Sequence, residues 1–400
     1  MSTVEKTLAY INERRENVIK GNINCIPLPF RRFRSELPGI EQKKYYLITG
    51  ATKAAKTQIA NYIIVFNAIL YAYYNPNKVT TKIFYYNFEE DSANITLRFM
   101  CYLLLIIYNI RIDPTNLSST NEEYPADPEI IELLQKGECK KILDFYNEYV
   151  VYLGNSNPTG VWKHMKRYAD ENGTTHKKKY TYKDELGMIV EGESFSHYEP
   201  NNPKEYVFII VDHVSLIDTE KGLTLRESIA KLSEYLIILR NRYKYIPVVI
   251  QQQSTETTSL EAFKSNKIRP TKAGLADCKN TGNDCDVLIG ITNPFSFELP
   301  EYLGYDIKKL KDSFRCIEVV LNRGGRSNGI CPLFFDGATN NFKELPLPND
   351  SSMQEVYAYI NRLNEKKAIG VSLLIVTLNK LKKKLQNWKD NTNFAKLKRT

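Results

Sequence analysis

The chain has 400 residues, of which 42% are hydrophobic and 25% charged. That length allows two or three domains, or one large α/β domain with additions, and the composition excludes a mainly disordered or collagen-like chain. The formal net charge of +9 is unevenly placed: residues 361–400 carry 11 Lys and Arg against Glu365 and Asp390, so the first 360 residues are neutral. A neutral body with a basic tail points to a polyanionic partner at that end.

Residues 4–20 read as a polar-faced helix, and this charged N-terminus lacks the apolar core of a secretory signal. Runs rich in Ile, Val, Tyr and Phe predict strands at 44–49, 83–88, 149–153, 206–211, 246–251, 286–291 and 316–321. Helical patterns fall between most of them, at 57–74, 92–109, 128–147, 159–170 and 224–243. Such alternation predicts an α/β fold with a mainly parallel, twisted sheet and helices on both faces. Thr57 to Asn77 holds 21 residues without a charge, long enough to span a bilayer. It contains Gln58, Asn61, Asn67 and Asn75, so a buried core helix is expected and no membrane span. Residues 173–204 break the rhythm; their five Lys balance five acids, which predicts a solvated surface hairpin or long loop. Beyond about residue 350 the chain reads as helical, with Leu374, Leu378, Leu381, Leu385 and Trp388 in a one-sided stripe of coiled-coil spacing. Seven scattered cysteines without a CxxC pair are expected to be reduced thiols in a cytoplasmic protein.

The segment Gly50-Ala51-Thr52-Lys53-Ala54-Ala55-Lys56-Thr57 follows an apolar strand and opens a helix, the context of a phosphate-binding P-loop. Exposed backbone N–H groups at such a loop wrap the phosphates of ATP. Lys56 would reach the β- and γ-phosphates, and the Thr57 hydroxyl would bind Mg²⁺. The usual glycine before the lysine is Ala55, whose methyl group is expected to crowd the phosphates. Val207 to Asp212 is an apolar strand ending in a carboxylate, as in a Walker B strand, and Asp212 would hold Mg²⁺. His213 beside it reads as a packing residue. Glu89, at the end of the strand 83–88, could polarise the attacking water as general base. Its neighbours Glu90 and Asp91 leave a merely charged loop as the alternative.

Several blocks together resemble the ATPase domain of DnaB-type replicative helicases, among the RecA-like ring ATPases. FEEDSANITLR (88–98) is similar to the family's segment with the catalytic Glu, and Arg98 matches a later position. VDHVSLI (211–217) is similar to its Walker B block. IPVVIQQQS (246–254) resembles its sensor strand, with Gln253 as the sensor. IRPTKAGLADCKNTGNDCDVLIGI (268–291) and VVLNRGGRSNGICPLFF (319–335) resemble its later blocks, the second carrying the arginine finger at Arg323. GNINCIPLPFRRF (21–33) resembles the start of the domain. The similarity runs over about residues 21–346 with the blocks in order. Ala55 departs from the pattern, Leu321 stands where the family often has Lys, and a turn one residue longer makes Arg326 a rival finger.

The resemblance implies a RecA-like ATPase domain over 21–347, preceded by 1–20 as an N-terminal helix or linker; the surface insertion 173–204 and the basic helical tail 348–400, read from charge and spacing, have no counterpart in the family. The first segment is long enough for one helix to dock on a neighbouring subunit and too short for the globular N-terminal domain of bacterial members. The resemblance further implies a hexamer around single-stranded DNA, driven by ATP and Mg²⁺. A primase or loader is the implied partner; the compact size and the Asn-, Lys- and Tyr-rich composition suit a phage or plasmid replication protein, which would act in the host cytoplasm. DNA would be gripped by two loops: near 219–226 with Lys221 and Arg226, and near 255–272 with Lys264, Lys267, Arg269 and Lys272. Two alternatives remain open. One is another RecA-like motor, such as a recombinase or packaging ATPase. The other is a degenerate ATPase acting as a DNA-bound scaffold or loader, to which Ala55 and Leu321 point.

Overall fold

The computed structural model describes residues 2–120, 125–183, 185, 187–254 and 268–369. The helix Thr3–Ile19 precedes a small ladder of β1 (Ile26–Pro27) and β2 (Gly39–Ile40). The main strands follow: β3 (Tyr46–Gly50), β4 (Thr80–Asn87) and β5 (Val150–Leu153). A hairpin of β6 (Gly173–Lys183) and β7 (Ile189–Pro200) intervenes before β8 (Glu205–Asp212), β9 (Ile246–Gln252) and β10 (Val287–Thr292). After a short ladder of β11 (Glu301–Tyr302) and β12 (Tyr305–Asp306) come β13 (Phe314–Asn322), β14 (Ile330–Asp336) and β15 (Asn341–Glu344).

Nine strands form one sheet in the order β15-β14-β13-β10-β3-β9-β8-β4-β5. The six from β10 to β5 are parallel, and β13, β14 and β15 are added antiparallel. Parallel strands covered on both faces become continuous apolar runs, which is what Phe208-Ile209-Ile210-Val211 and Tyr46-Leu47-Ile48 are. Their alternate side chains feed two cores. Ile48, Tyr85 and Ile250 pack under the helices that contain Ile63, Phe66 and Phe99. Leu47, Phe84 and Val249 pack under Val161, Met165, Leu232 and Leu236.

The uncharged stretch after the P-loop is a core helix. It runs through Lys56–Ala60, a π-helical stretch Asn61–Phe66 that is buried throughout, and Asn67–Tyr74. Among the described residues no helix is long and apolar enough to cross a membrane. The helix expected over 128–147 is two helices, Pro128–Gln135 and Gly137–Tyr149. Lys136 is extended and Gly137 has φ +63°, a conformation a side chain resists. Gly173–Lys183 and Ile189–Pro200 pair as the hairpin β6–β7, anchored where Tyr198 donates to the Ala169 carbonyl at 3.0 Å and packs edge-on against Tyr243. The C-terminal helix Met353–Ile369 buries Met353 and Ile360 in a third cluster with Tyr305, Leu310 and Phe314. The stripe from Leu374 to Trp388 lies outside the described residues.

Candidate nucleotide site

Both halves of the site lie at the C-terminal edge of the parallel strands, where α/β sheets bind ligands. β3 ends at Gly50, where a Cβ would meet the Ile291 carbonyl oxygen at 2.5 Å, so no larger residue fits between β3 and β10. The loop then bends through two left-handed residues, Lys53 (φ 61°) and Ala55 (φ 75°), and the helix begins at Lys56. Left-handed geometry costs a non-glycine residue about 1 kcal/mol. The Ala55 methyl is packed in the apolar core, which argues for a backbone strain over the crowding of phosphates expected from sequence. Ala55→Gly would relieve that strain but lose a buried methyl and loosen the unfolded chain, each by about the same amount. The melting temperature is therefore expected to stay within about 3 °C. A tenfold gain in ATP affinity in this variant would restore the crowding explanation.

Lys56 is drawn back over the loop, its ammonium donating to the Ala51 carbonyl at 3.1 Å. Burial lowers its pKa, and the carboxylates of Glu89 and Asp212 oppose that shift. The Thr57 hydroxyl donates to Asp212 Oδ1 at 3.2 Å, and the Tyr85 hydroxyl donates to Oδ2 at 2.9 Å. Asp212 is buried, which pushes its carboxyl up to about 6; the two hydroxyls pull the other way, and Glu89 and Glu90 add to the rise. A cation at that point would favour the charged form. A buried carboxylate beside a threonine hydroxyl suits Mg²⁺, which takes one or two protein ligands and completes its shell with phosphates and water. Among the described residues there is no group of three or more His, Cys, Asp or Glu that could hold a metal ion.

Glu89 follows β4, whose Asn87 pairs with Asp212 in register. The three adjacent acids have separate tasks. Glu90 is held by Arg98, and Asp91 caps the helix Ser92–Tyr108 by accepting from the Ala93 amide at 2.9 Å. Glu89 is exposed, makes no hydrogen bond or ion pair among the described residues, and is close enough to act electrostatically on Lys56. His213 is buried, and its Nε2 has no partner among the described residues.

The end of β9 divides its three glutamines. Gln251 is buried against the Ala276 and Cys278 carbonyls. Gln253 is also buried, its amide engaged with the Thr49 hydroxyl at 2.9 Å and the Thr271 backbone. It is Gln252 that touches the loop, donating to the Thr52 hydroxyl at 2.6 Å. The sequence reading names Gln253 as the sensor; its side chain is turned to Thr49 and Thr271, and the side-chain contact with Thr52 of the loop is made by Gln252. Tyr85, hidden in an apolar run, and Arg315, whose Nε donates to the Ala54 carbonyl at 3.1 Å, had no sequence signal.

Arg323 lies elsewhere. Val287 pairs with Tyr46 on one side and Asn322 on the other, so the turn after β13 sits at the N-terminal edge of the sheet. That is a five-residue strand, about 16 Å, from the chain's own P-loop. The Arg323 side chain donates to the Asn283 carbonyl, and Arg326 has no partner among the described residues. Arg226 and Lys272 are exposed beside the loops that leave β8 and β9. Arg269 is half-buried, 3.8 Å from Glu318 and hydrogen-bonded to Tyr302, so its charge is already engaged. Lys264 and Lys267 lie outside the described residues.

No protein-family model and no curated protein matches this sequence. Solved structures do. One solved ATPase domain superposes with a TM-score of 0.60 at 13% identity, covering 86% of this chain and 100% of that one. A DnaB-like replicative helicase, described with its interactions with primase, gives 0.58 at 13% identity, covering 86% of this chain and 68% of that one. At such identities the likeness is one of fold: this chain is built as a RecA-like α/β domain of the kind found in the ATPase domains of DnaB-type replicative helicases.

Proposed function

We propose that the protein is an ATP-driven helicase that assembles as a ring, a hexamer in the likeness of its fold relatives, and moves along single-stranded DNA. The observation that carries this reading is the pairing of Thr57 with Asp212 at one sheet edge and the placement of Arg323 at the other. The first suits Mg²⁺ and ATP; the second suits a finger that serves a neighbour's site. Mg²⁺ would be held by Thr57 and Asp212, where it neutralises phosphate charge. Lys56 orients the β- and γ-phosphates, Gln252 steadies the loop through Thr52, and Glu89 takes the proton of the attacking water. The helix Thr3–Ile19 supports assembly: none of its residues is buried, and Val4, Leu8, Ile11 and Val18 form an uncovered apolar stripe that fits a neighbouring subunit.

DNA would run past Arg226, Lys221 and Lys272, with residues 348–400 as a basic appendage to an ATPase body of 21–347. The test is ATP hydrolysis with and without single-stranded DNA, together with strand unwinding. Hydrolysis stimulated by DNA but without unwinding would favour another RecA-like motor, and no hydrolysis would favour the degenerate scaffold. For the tail, a 1–360 chain is expected to bind DNA with a shallower dependence of log K on log salt, by about 0.7 per lost phosphate contact. Its DNA-free ATPase should be unchanged, because every residue of the nucleotide site precedes the tail. An unaltered slope would leave the tail without a DNA role.

A further inference from the structure

We infer that the hairpin β6–β7 carries a stacking surface for single-stranded DNA, made by Tyr180 and Tyr182 with Lys178 in line. It is a second contact, separate from the loops that leave β8 and β9 at the C-terminal edge of the parallel strands. The hairpin follows the helix Pro158–Glu171 and returns to the start of β8 at Glu205, so it rises from the opposite edge. The choice of DNA as the nucleic acid rests on the helicase reading above; the stacking surface does not.

Side chains along a strand alternate between faces, and directly opposite residues of paired strands share one. Lys177, Lys179 and Thr181 therefore share a face with Phe195, Glu193 and Glu191. That face is neutralised along its length and covered at its base. Lys177 pairs with Glu193 at 3.1 Å and Lys179 with Glu191 at 4.0 Å. Phe195 turns to the body, with the Arg242 guanidinium 5.1 Å from its ring centre and the Tyr243 ring edge-on.

The other face points away from the body. There Lys178, Tyr180 and Tyr182 stand opposite Ser194, Gly192 and Val190, without an acid among them. Lys178 is exposed and has no ion pair among the described residues. Tyr180 and Tyr182 are 46% and 48% exposed, with ring centres 5.8 Å apart and planes 34° from each other. A Cβ at Gly192 would meet Cζ, Oη and Cε1 of Tyr180 at 2.9, 3.0 and 3.2 Å. Such similar distances describe a ring lying over the glycine, so its outer face is turned to solvent. Two neighbouring rings and an uncompensated cation match a single-strand platform, where bases stack on the rings and the cation meets phosphate. A duplex fits poorly, because its bases are already stacked on one another. A protein partner also fits less well, since lysine is depleted at the core of protein interfaces.

A fluorescein-labelled oligothymidylate, titrated with the full chain across a salt series and followed by anisotropy, tests the surface. Tyr180→Ala combined with Tyr182→Ala is expected to weaken binding about tenfold or more. Tyr180→Phe combined with Tyr182→Phe should keep the wild-type affinity, since stacking needs the ring and not the hydroxyl. Lys178→Ala should lower the slope of log K against log salt by about 0.7. In a parallel arm, thymine is replaced by 5-iodouracil and the wild-type complex is irradiated; crosslinks are expected at Tyr180 or Tyr182.

Unaltered affinity in the alanine pair, or crosslinks confined to other segments, overturns the hairpin assignment and leaves the helicase reading standing. If the alanine pair alters subunit assembly and not DNA affinity, the face belongs to a protein contact. Failure of the wild type to bind the oligonucleotide overturns both readings. The wild-type crosslinks decide the matter even if the alanine pair does not fold.

Discussion

Lys56→Ala is expected to lower ATP turnover at least about a hundredfold, the usual loss when a single group facing developing charge is removed. Lys56 is partly buried, and the charged groups that act on it are the carboxylates of Glu89 and Asp212, so its removal leaves those two negative charges uncompensated where the phosphates would sit. Glu89→Gln should behave differently. It keeps the shape of the loop and removes only the base, so nucleotide affinity should hold while turnover falls about 10²–10⁴-fold. Phosphate release and equilibrium nucleotide binding, measured side by side, separate the two variants. Wild-type turnover in Glu89→Gln would end its role as base. Glu90 and Asp91 are poor replacements, because Arg98 and the helix cap already occupy them.

Arg323→Ala is expected to abolish hydrolysis as thoroughly, by about 10³-fold or more if it acts as an arginine finger. Its distance from the chain's own P-loop leads to a sharper result. Arg323→Ala subunits and Lys56→Ala subunits, each inactive alone, should regain ATPase activity when mixed. In a mixed ring some interfaces pair an intact Lys56 with an intact Arg323 from the neighbour. No recovery on mixing, with assembly intact, would argue against a site shared between subunits. A dead Arg326→Ala beside a fully active Arg323→Ala would shift the role within the turn, to the side chain that has no partner among the described residues.

The class of fold was legible because its signals are local. A buried parallel strand must be apolar throughout, so Val207–Val211 and Tyr46–Ile48 announce themselves. A P-loop needs a strand, a tight loop and a helix in immediate succession, and Tyr46–Gly50, the loop after it and Lys56–Ala60 supply that succession. The break at Gly137 was less legible, since Pro128–Gln135 and Gly137–Tyr149 carry compatible helical patterns and only one backbone angle separates them. β14 was hidden by Pro332, a residue that argues against a strand, and β15 is four residues long.

The sequence by itself determined the alternation of elements, the strand–loop–helix around Gly50–Thr57 and the carboxylate that ends β8, because each depends on neighbours along the chain. Only the tertiary structure decided which of three glutamines touches the loop and which of three acids stays free. It also brought Tyr85 to Asp212 and Arg315 to Ala54, and put Arg323 at the edge away from its own phosphate loop. Those choices depend on pairing between strands far apart in sequence: β4 beside β8, β3 beside β9, and β13 antiparallel to β10. Composition and spacing carry no record of which strands become neighbours, and a strand's neighbours determine where its end residues point.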